Sequence, residues 1–524
     1  MAACGGGGGG SDTPAPPALT LPASRVSGAT PLAPGCTGGS VSGINYPDAE
    51  VEPFVAIDPG NSNHLVGVWQ QDRWSNGGSR AVMSAASFDG GRNWTRVLQP
   101  MSRCAGATAG SAGDFERATD PWVDIGADGT VYMMGLAFSG AALQPGSASA
   151  MLASRSTDGG LTWSAPATLI SDGTAAFNDK NTLSADPTDA RYVYAVWDRL
   201  VASGSGPAWL ARSSDRGASW EPARAIFTPP GTSQTIGNRI VVLGDGPQRG
   251  VLVNLYTQID TVAGQASSHL DVIRSTDKGL SWSAPVRVAE LQAVGARDPD
   301  TGTAIRDGAT LASIAAGPGG TLWVAWQDAR FSGGLRDAIA VSRSTDGGLT
   351  WSAPLAINRE PGVSAFTPTV TVRADGTVGV THYDLRSNTS STTSLLADAW
   401  LLTSRDGLTW TEARVWGPFD MAAAPNAGGL FLGDYQGLVS DATSFVSFLV
   451  LASTDTANRT DVYALRNSVA VAATAHAARA LSAAPSDALS PGAFTQRRHE
   501  AIVRSMERRV PGWSKLMKVE PVAP

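Results

Sequence analysis

The sequence has little of what several classes of partner or cofactor require. Only 16% of its 524 residues are charged, and the net charge of −7 gives no basic excess for binding nucleic acid. No apolar run approaches the roughly 18 residues that a membrane span needs. The few histidines form no pair with metal-ligand spacing: His64, His269, His382, His476 and His499. We therefore expect no nucleic-acid partner, no cofactor and no metal centre, with only a structural calcium ion left open.

The first residues indicate an exported protein. Met1-Ala2-Ala3 precedes Cys4, and six glycines follow it. This pattern resembles the lipobox of bacterial lipoproteins, which implies that Cys4 becomes the lipidated first residue of the mature chain. The alternative is a glycine-rich leader with an incidental cysteine. We expect residues 1–35 to form a flexible tether and the protein to lie in the bacterial periplasm or on the outer cell surface, held at the membrane only by this anchor.

Cysteine is otherwise scarce, with two further residues, Cys36 and Cys104. An exported chain reaches an oxidising compartment, and this favours a disulfide between them. Such a bond would join the segment before the first repeat to the end of that repeat. Two cysteines alone are too few for a zinc site of the usual kind.

Turns, tryptophans and one repeated motif are plentiful. Gly (59), Pro (32) and Trp (16) are typical of short strands joined by turns. The motif Ser-x-Asp-x-Gly-x-Thr/Ser/Asn-Trp recurs along the chain, and its last copy is one residue shorter than the others. Its aspartates are Asp89, Asp158, Asp215, Asp277, Asp346 and Asp406, which lie 69, 57, 62, 69 and 60 residues apart. One four-stranded propeller blade needs about that length of chain.

The residue types in the motif indicate a structural role. Asp accepts hydrogen bonds from the backbone amides of a turn, Gly permits a left-handed backbone, and Trp packs as a wedge between sheets. The motif resembles the Asp box of the sialidase and bacterial-neuraminidase-repeat families. The resemblance covers roughly residues 50–468 and implies an all-β, sialidase-like β-propeller of four-stranded antiparallel blades.

A seventh unit without a box bears on the number of blades. Three strands are predicted near residues 432–438, 445–451 and 461–465, and a blade of this kind needs a fourth. Residues around 19–26, which precede the first repeat, could supply that outer strand and close the ring. We therefore favour seven blades, with six as the alternative.

The propeller is expected to occupy residues 36–468. Residues 469–524 are Ala-rich and predicted to form a partly helical C-terminal tail. A helix is predicted near residues 494–509, and its five arginines favour a solvated basic surface. Docking to a membrane or a partner is the alternative.

Arginines are expected to gather on one face of the propeller. Residues before the first strand and after the second strand of each blade meet on the same face around the axis. An aromatic residue, an Asp and an Arg recur after the second strand, and the arginines concerned include Arg73, Arg330 and Arg386. They fit either a carboxylate clamp or salt bridges between blades, since repetition is typical of a structural role. The arginines that break the repetition are better candidates for binding an anion: Arg117, Arg239 and Arg306.

The resemblance also implies catalytic residues. Sialidases of this type bind the sugar carboxylate with three arginines, and they use a tyrosine nucleophile with a glutamate beside it and an aspartate as acid/base. Tyr435 lies in a segment similar to the family's Tyr-Ser-x-Leu element and is the candidate nucleophile, or else an aromatic that lines the channel. Glu116 is the candidate partner of the tyrosine, and Asp72 is the candidate acid/base. The family's first arginine is absent, because its Arg-Ile-Pro motif reads Glu52-Pro-Phe in this chain.

The expected function is that of an exported, monomeric glycoside hydrolase of the exo-α-sialidase type, acting on acidic glycans. Two alternatives stay open. The missing arginine favours a non-catalytic cell-surface propeller that binds glycans or proteins. His382 beside Tyr383 leaves room for a polysaccharide lyase.

Overall fold

The computed structural model describes residues 23–39, 42–468, 474–481 and 485–522. Cys4 and its predicted lipidation lie outside these residues. The described chain is all-β apart from two C-terminal helices, Pro491–Arg509 and Trp513–Met517, and four short 3-10 turns, Arg103–Ala105, Pro318–Gly320, Arg330–Ser332 and Met421–Ala423. None of the described helices is both long enough and apolar enough to cross a membrane.

The first half of the chain forms four antiparallel sheets of four strands, numbered in chain order. Sheet 1 contains Val51–Asp58, Asn61–Arg73, Ser79–Ser87 and Thr95–Leu98, and sheet 2 contains Arg117–Ile125, Val131–Ser139, Ala148–Ser156 and Ala167–Asp172. Sheet 3 contains Ala176–Ala185, Val193–Val201, Ala208–Ser213 and Arg224–Phe227, and sheet 4 contains Gln234–Val242, Leu252–Val262, Gln265–Ser275 and Val286–Glu290. A single bridge between Ser79 and Ala118 joins sheets 1 and 2.

The second half repeats this plan. Sheet 5 contains Ser313–Ala316, Leu322–Asp328, Ala338–Ser344 and Leu355–Ala356. Sheet 6 contains Ala365–Val372, Val378–Asp384, Leu396–Ser404 and Thr409–Asp420, with Thr474–Ala477 of the tail as a fifth strand. Sheet 7 contains Gly437–Ser440, Ser444–Ala452, Thr460–Ser468 and Ala23–Arg25. A parallel pair, Ile305–Arg306 with Leu430–Phe431, lies apart from these sheets. The predicted all-β fold of four-stranded antiparallel sheets is confirmed.

The outer strand of sheet 7 comes from the beginning of the described chain. Ala23 pairs with Leu465 and Arg25 pairs with Tyr463, both antiparallel. This strand lies within residues 1–35, where the sequence predicted a tether. The segment that follows it is joined to the turn after sheet 1 by a disulfide between Cys36 and Cys104.

The first strands of the sheets bring distant parts of the chain together. Each contacts the first strand of the next sheet, and Gly437–Ser440 of sheet 7 also contacts Val51–Asp58 of sheet 1. Large side chains of the second strands fill the space between neighbouring sheets, and Trp69, Trp197 and Trp326 are fully buried there. This packing places the starting residues of the first strands close to one another.

The serine, aspartate and glycine of the repeated motif make the same hydrogen bonds at its copies, whereas the tryptophan bond varies, since Trp351 Nε1 has no partner among the described residues. In sheet 2 the hydroxyl of Ser156 donates to Asp158 Oδ1 (2.7 Å), and the same oxygen accepts from the amide of Thr162 (2.9 Å). The amide of Gly160 donates to the Ser156 hydroxyl (2.8 Å), and Trp163 Nε1 donates to the Gly160 carbonyl (3.2 Å). The motif therefore closes a turn between the third and fourth strands, and its aspartate is fully engaged in that turn.

The C-terminal tail packs against the sheets. The helix Pro491–Arg509 starts at Ser490, whose hydroxyl accepts from the amide of Ala493. Instead of the solvated basic surface expected from its arginines, it presents a buried apolar side. Ile502, Val503 and Met506 lie in one cluster with residues of sheet 4. The apolar positions outweigh the arginines because a charged head group can reach water or a carboxylate while its helix stays docked.

The aspartates of the motif should make stability depend on acidity. Hydrogen bonds from Ser281 and Thr162 lower the pKa of Asp277 and of Asp158 to about 2. Their contribution is complete above the ordinary carboxyl pKa and is lost as the pH falls towards 2. Asp277→Asn should therefore lower the thermal midpoint at pH 5 and reduce its fall between pH 5 and pH 2.5, as measured by circular dichroism.

Asp487→Asn is the control, because Asp487 lies in an exposed loop. An identical pH dependence in the Asp277 variant and the unchanged protein would contradict the structural role of the motif.

Candidate functional site

Bulges near the start of the innermost strands gather charged side chains in one place. The pairing register shifts around Glu52, Asp120 and Lys180, which have φ of 53°, 49° and 44°. Thr367 of sheet 6 repeats this with φ of 52°. A bulge re-aims a side chain, and a left-handed non-glycine residue costs about 1–3 kcal/mol. Backbone strain of this kind concentrates at functional sites.

The ammonium group of Lys180 lies at the centre of this cluster. Its Nζ is 3.0 Å from Glu52 Oε1, 3.3 Å from Asp120 Oδ1 and 2.9 Å from Asp434 Oδ2. The Lys180 side chain is only 5% exposed. Burial lowers the pKa of Lys180, but the three carboxylates outweigh burial and raise it above its ordinary value. Lys180 is therefore a fixed cation that joins sheets 1, 2 and 3 to the segment before sheet 7.

Glu52 and Asp120 are neighbouring buried carboxyl groups whose pKa values are shifted in opposite directions. Burial raises the pKa of Glu52 well above its ordinary value, and the neighbouring charge of Asp120 adds to this rise. Burial also acts to raise the pKa of Asp120, but Lys180 and a hydrogen bond from Glu52 lower it to about 2. Of the two groups, Glu52 therefore holds its proton more tightly than a carboxyl group in water, and Asp120 releases its proton more easily.

Asp434 is held by two arginines as well as by Lys180. Arg306 Nε and Nη2 donate to its two carboxylate oxygens (3.1 and 2.7 Å), and Arg509 Nη2 lies 3.7 Å away. Burial raises the pKa of Asp434, but Arg306, Lys180 and Arg509 together lower it well below its ordinary value. Asp434 is thus an ionised carboxylate whose oxygens are already bound.

Arg73 is a buried cation with spare hydrogen-bonding capacity. Its Nη1 donates to Gln70 Oε1 (2.6 Å), and its guanidinium stacks 4.7 Å from the ring centroid of Phe431. Its Nε has no hydrogen-bond partner among the described residues. Burial and the neighbouring Arg306 lower its pKa to about 10. An anionic group placed here would relieve both effects.

The C-terminal helix closes the mouth of the cluster, which is the opening lined by Asp179, Arg306, Arg508 and Arg509. Arg509 Nη1 lies 3.4 Å from Asp179 Oδ2 and its side chain is 4% exposed. Arg508 Nη1 donates to the Gly428 carbonyl (2.7 Å), and no described carboxylate lies within salt-bridge distance of it. A cavity of ≈ 90 Å³ remains beneath the helix, lined in part by Arg73, Asp120, Lys180, Arg306, Arg508 and Arg509.

Tyr435 and Arg239 lie on the inner side of the cluster, in a neighbouring cavity of ≈ 50 Å³ that Lys180 also lines. The Tyr435 hydroxyl donates to the Pro121 carbonyl (3.3 Å). Burial and the charge of Glu52 raise the pKa of Tyr435 well above its ordinary value. Arg239 stacks 5.1 Å from the Trp122 ring and donates to the Ser313 hydroxyl. The predicted nucleophile is therefore a neutral phenol near the acid pair.

The other predicted catalytic residues have different surroundings. Asp72 is fully buried and bound to Arg80 (2.7 Å) and to the hydroxyl of Thr30 (3.0 Å). Glu116 is half-buried and accepts from the amide of Gly140 (3.1 Å). Arg117 stacks 4.6 Å from the Trp74 ring. Asp72, Glu116 and the pair Arg330 and Arg386 are absent from the linings of both cavities at the cluster.

The repeated arginines of sheets 5 and 6 are bound by nearby carboxylates and a carbonyl. Arg330 donates through Nε (2.8 Å) and Nη2 (2.7 Å) to Asp328, and its Nη2 also donates to the Glu290 carbonyl of sheet 4. Arg386 donates to Asp384 and through two nitrogens to Glu412, and it stacks 3.6 Å from the Trp400 ring. These contacts match the structural interpretation of the repeat, with bonds inside the sheet at Arg386 and both inside and between sheets at Arg330.

His382 and Tyr383, the residues of the lyase alternative, are buried in sheet 6. The Tyr383 hydroxyl donates to the Val450 carbonyl (2.9 Å). Burial lowers the pKa of His382 to about 3. A lyase base needs access to its substrate, and neither side chain is exposed to solvent.

Sequence reasoning missed Glu52, Asp120, Lys180 and Arg509 as site residues. Glu52 was read only as the place of a missing arginine. A usable signal existed, because Glu52-Pro, Asp120-Pro and Thr367-Pro recur at the bulges of three innermost strands. Proline restricts the residue before it and removes a donor from the strand. Arg509 had no such signal, because its place depends on how the tail docks.

Removing the charge of Lys180 should destabilise the fold strongly. Lys180→Met keeps most of the side-chain length but leaves three buried carboxylates without their common cation. We expect a loss of about 3–5 kcal/mol in the free energy of unfolding, measured by urea denaturation.

Lys515→Met is the matched control, because Lys515 is exposed. Its replacement should cost about 0.5 kcal/mol or less. Equal losses in the two variants would show that Lys180 is not the centre of the network.

Comparisons with known proteins give only distant likenesses. No family model matches the chain, and no curated protein matches its sequence. Among solved structures, a protein of unknown function from Dyadobacter fermentans is 16% identical, with 68% of this chain and 95% of that chain covered and a TM-score of 0.44. The Hadza microbial sialidase Hz136 is 19% identical (64% and 63% covered, TM-score 0.40), and an α-L-arabinanase of Penicillium chrysogenum complexed with arabinobiose is 12% identical (81% and 96% covered, TM-score 0.43). At these values the likenesses carry no argument about activity.

Proposed function

We propose that this chain is a seven-bladed, sialidase-like propeller that hydrolyses glycosidic bonds in acidic glycans, at the mouth around Lys180. The observation that carries the proposal is the buried pair of Glu52 and Asp120 at the Lys180 ammonium, whose pKa values are shifted in opposite directions. Glycosidases work with two carboxyl groups whose pKa values are set apart by their surroundings. The contact between the first strands of sheets 7 and 1 supports the ring of seven.

Glu52 is the proposed general acid, because burial raises its pKa well above the ordinary value and so favours its protonated form. Asp120 is the proposed carboxylate partner. No N–H or hydroxyl group among the described residues donates to its Oδ2, whereas both oxygens of Asp434 accept from Arg306. Carboxyl groups of glycosidases stand about 5–9.5 Å apart around the bond that is cleaved. The hydrogen bond between Glu52 and Asp120 must therefore open when a glycosidic oxygen enters between them.

The preference for an acidic glycan rests on the cations around the pair. Arg73, Arg306 and Arg508 line the same cavity as Asp120. Arg508 has a pKa lowered to about 10 by burial and by the neighbouring Arg306. A substrate carboxylate would bring the negative charge that Arg73 and Arg508 lack, since Arg306 is already paired with Asp434. Tyr435 stays the candidate nucleophile for the exo-α-sialidase type, since a neutral phenol is not repelled by an anionic sugar.

Export to the bacterial periplasm or outer cell surface is part of the proposal, with Cys4 as the lipid anchor and a monomeric protein. The disulfide between Cys36 and Cys104 supports it, because disulfides persist in oxidising compartments.

The second candidate is a non-catalytic propeller that binds glycans or proteins. It is favoured by the helix over the mouth, because a cavity of ≈ 90 Å³ is well below the roughly 300–1,000 Å³ of typical ligand pockets. Hydrolysis then requires the arginine side chains of the helix, or the helix itself, to move.

The hydrolase and the binding protein can be distinguished by whether the protein turns over a glycoside substrate. The full-length protein should hydrolyse a fluorogenic sialoside or a member of a panel of aryl uronides, and Glu52→Gln should lower kcat by about 10²–10⁴-fold. Activity of the unchanged protein should fall as the pH rises through the pKa of Glu52, because the acid then loses its proton. Tyr435→Phe tests the nucleophile on the same substrates.

Glu221→Gln is the control, since Glu221 pairs with Arg212 on the surface of sheet 3. No turnover on the whole panel, together with retained binding to a glycan array, would replace the hydrolase by the binding protein. Turnover that Glu52→Gln leaves unchanged would remove Glu52 from the mechanism.

Loosening the tail should widen the mouth. Trp513 is fully buried, and its Nε1 donates to Gln234 Oε1 (2.8 Å). Trp513→Ala should weaken tail docking by about 3–5 kcal/mol and raise kcat/KM several-fold. A fall in kcat/KM with an unchanged thermal midpoint would mean that the helix is a wall of the site instead of a cover.

A further inference from the structure

Three carboxyl groups meet at the junction between sheets 7 and 1, outside the mouth described above. Asp48 and Glu50 immediately precede the first strand of sheet 1, and Asp72 lies near the end of its second strand. Carboxylate oxygens, one from each residue, lie within 4.8 Å of one another. Oxygens that share one Ca²⁺ ion at about 2.3–2.6 Å are separated by distances in this range.

One oxygen of this group is buried without a partner. Glu50 is fully buried, and its Oε1 accepts from Gln71 Nε2 (2.5 Å). Its Oε2 has no hydrogen-bond partner among the described residues. An unsatisfied buried acceptor costs about 1–3 kcal/mol, and more when the group carries charge. The Ser27 hydroxyl also acts on Glu50, but it donates its hydrogen to Asp461 Oδ1 (2.9 Å).

Carboxyl groups outnumber cations at the junction. Asp461 of sheet 7 lies near both Asp48 and Glu50 and is the fourth carboxyl group there. The cations bound to these four groups are Arg80, at Asp72, and Arg25, at Asp461. With all four carboxyl groups ionised, the two guanidinium groups would leave two negative charges, which is the charge that one divalent cation neutralises.

We propose that Asp48, Glu50 and Asp72 hold one Ca²⁺ ion. The donors are all oxygens, with no nitrogen or sulfur ligand among the three, and this set suits a hard cation. Ca²⁺ accepts six to eight oxygens in flexible geometry, so carboxylates on separate segments can share it with water. Mg²⁺ demands a stricter octahedron and is the second ion to compare.

The ion would stabilise the contact between sheet 7 and sheet 1, the last and the first sheets in chain order. The amide of Thr30 donates to Asp48, and its hydroxyl donates to Asp72. The amide of Glu50 donates to the carbonyl of Thr460 in sheet 7 (3.2 Å). The proposed ligands therefore tie the N-terminal segment, sheet 1 and sheet 7 together. Without a cation, the repulsion between ionised carboxylates would destabilise this junction.

The test uses the full-length protein freed of metal by EDTA and dialysis. Equilibrium dialysis against Ca²⁺ up to about 5 mM, with metal analysis, should give one bound ion per chain. The thermal midpoint should rise by at least about 2 °C with Ca²⁺ and by less with Mg²⁺. Glu50→Gln keeps the shape but removes a ligand charge, and should weaken Ca²⁺ binding at least about 10-fold and abolish the shift in midpoint.

Asp48→Asn is the second variant, since Asp48 is only half-buried and its replacement does not disturb the core. Glu221→Gln, away from the junction, is the control and should bind Ca²⁺ as the unchanged protein does. Absence of bound Ca²⁺ in the unchanged protein overturns the proposal. Equal Ca²⁺ binding in the unchanged protein and in both variants also overturns it.

Discussion

The burial of the Lys180 ammonium among three carboxylates is the contact on which the mouth of this protein depends. Each partner comes from a different part of the chain, so the four charges can meet only when several innermost strands are in place. Moving such ions out of water costs several kcal/mol each, and attraction offsets this only with good geometry. The network therefore fixes the relative positions of the strands, and it also shifts the pKa values of Glu52 and Asp120 in opposite directions.

The C-terminal helix limits access to this network. Arg509 adds a cation to Asp179 and Asp434, and the apolar side of the helix buries Ile502, Val503 and Met506. At about 1.5–3 kcal/mol for each buried side chain, the docked tail is a stable part of the molecule rather than a loose cover. Access to Glu52 and Asp120 is then limited more by the arginine side chains of the helix than by the sheets. Whether these side chains can move decides between the hydrolase and the binding protein.

The sequence predicted what depends on neighbours in the chain. The turn around Asp158 needs only residues 156–163, so its motif is readable from one segment, and the same is true of alternating strands. The outer strand of sheet 7 was also foreseen, because three strands were visible and a fourth was missing. Arg330 and Arg386 were placed correctly at strand ends, but their partners, Asp328 and Glu412, decide their role.

The contacts of the site could not be predicted from short segments of the sequence. Lys180 meets Glu52 across 128 positions of the sequence, and Arg509 meets Asp179 across 330. Such pairs depend on how bulges re-aim side chains and on where the tail docks, and neither follows from strand patterns. The position of Glu52 was noticed as a departure from a family motif, but its contribution as an acid became visible only beside Asp120.

The pairing of Ala23–Arg25 with Thr460–Ser468 has a consequence for the order of assembly. The outermost strand of the last sheet is made first and its neighbour is made near the end of synthesis, so loop closure here spans most of the chain. Local hairpins can form early, but the final sheet is complete only when both ends are present. A step that requires an extended chain, such as passage through a narrow pore, can therefore be completed before Ala23–Arg25 pairs with Thr460–Ser468.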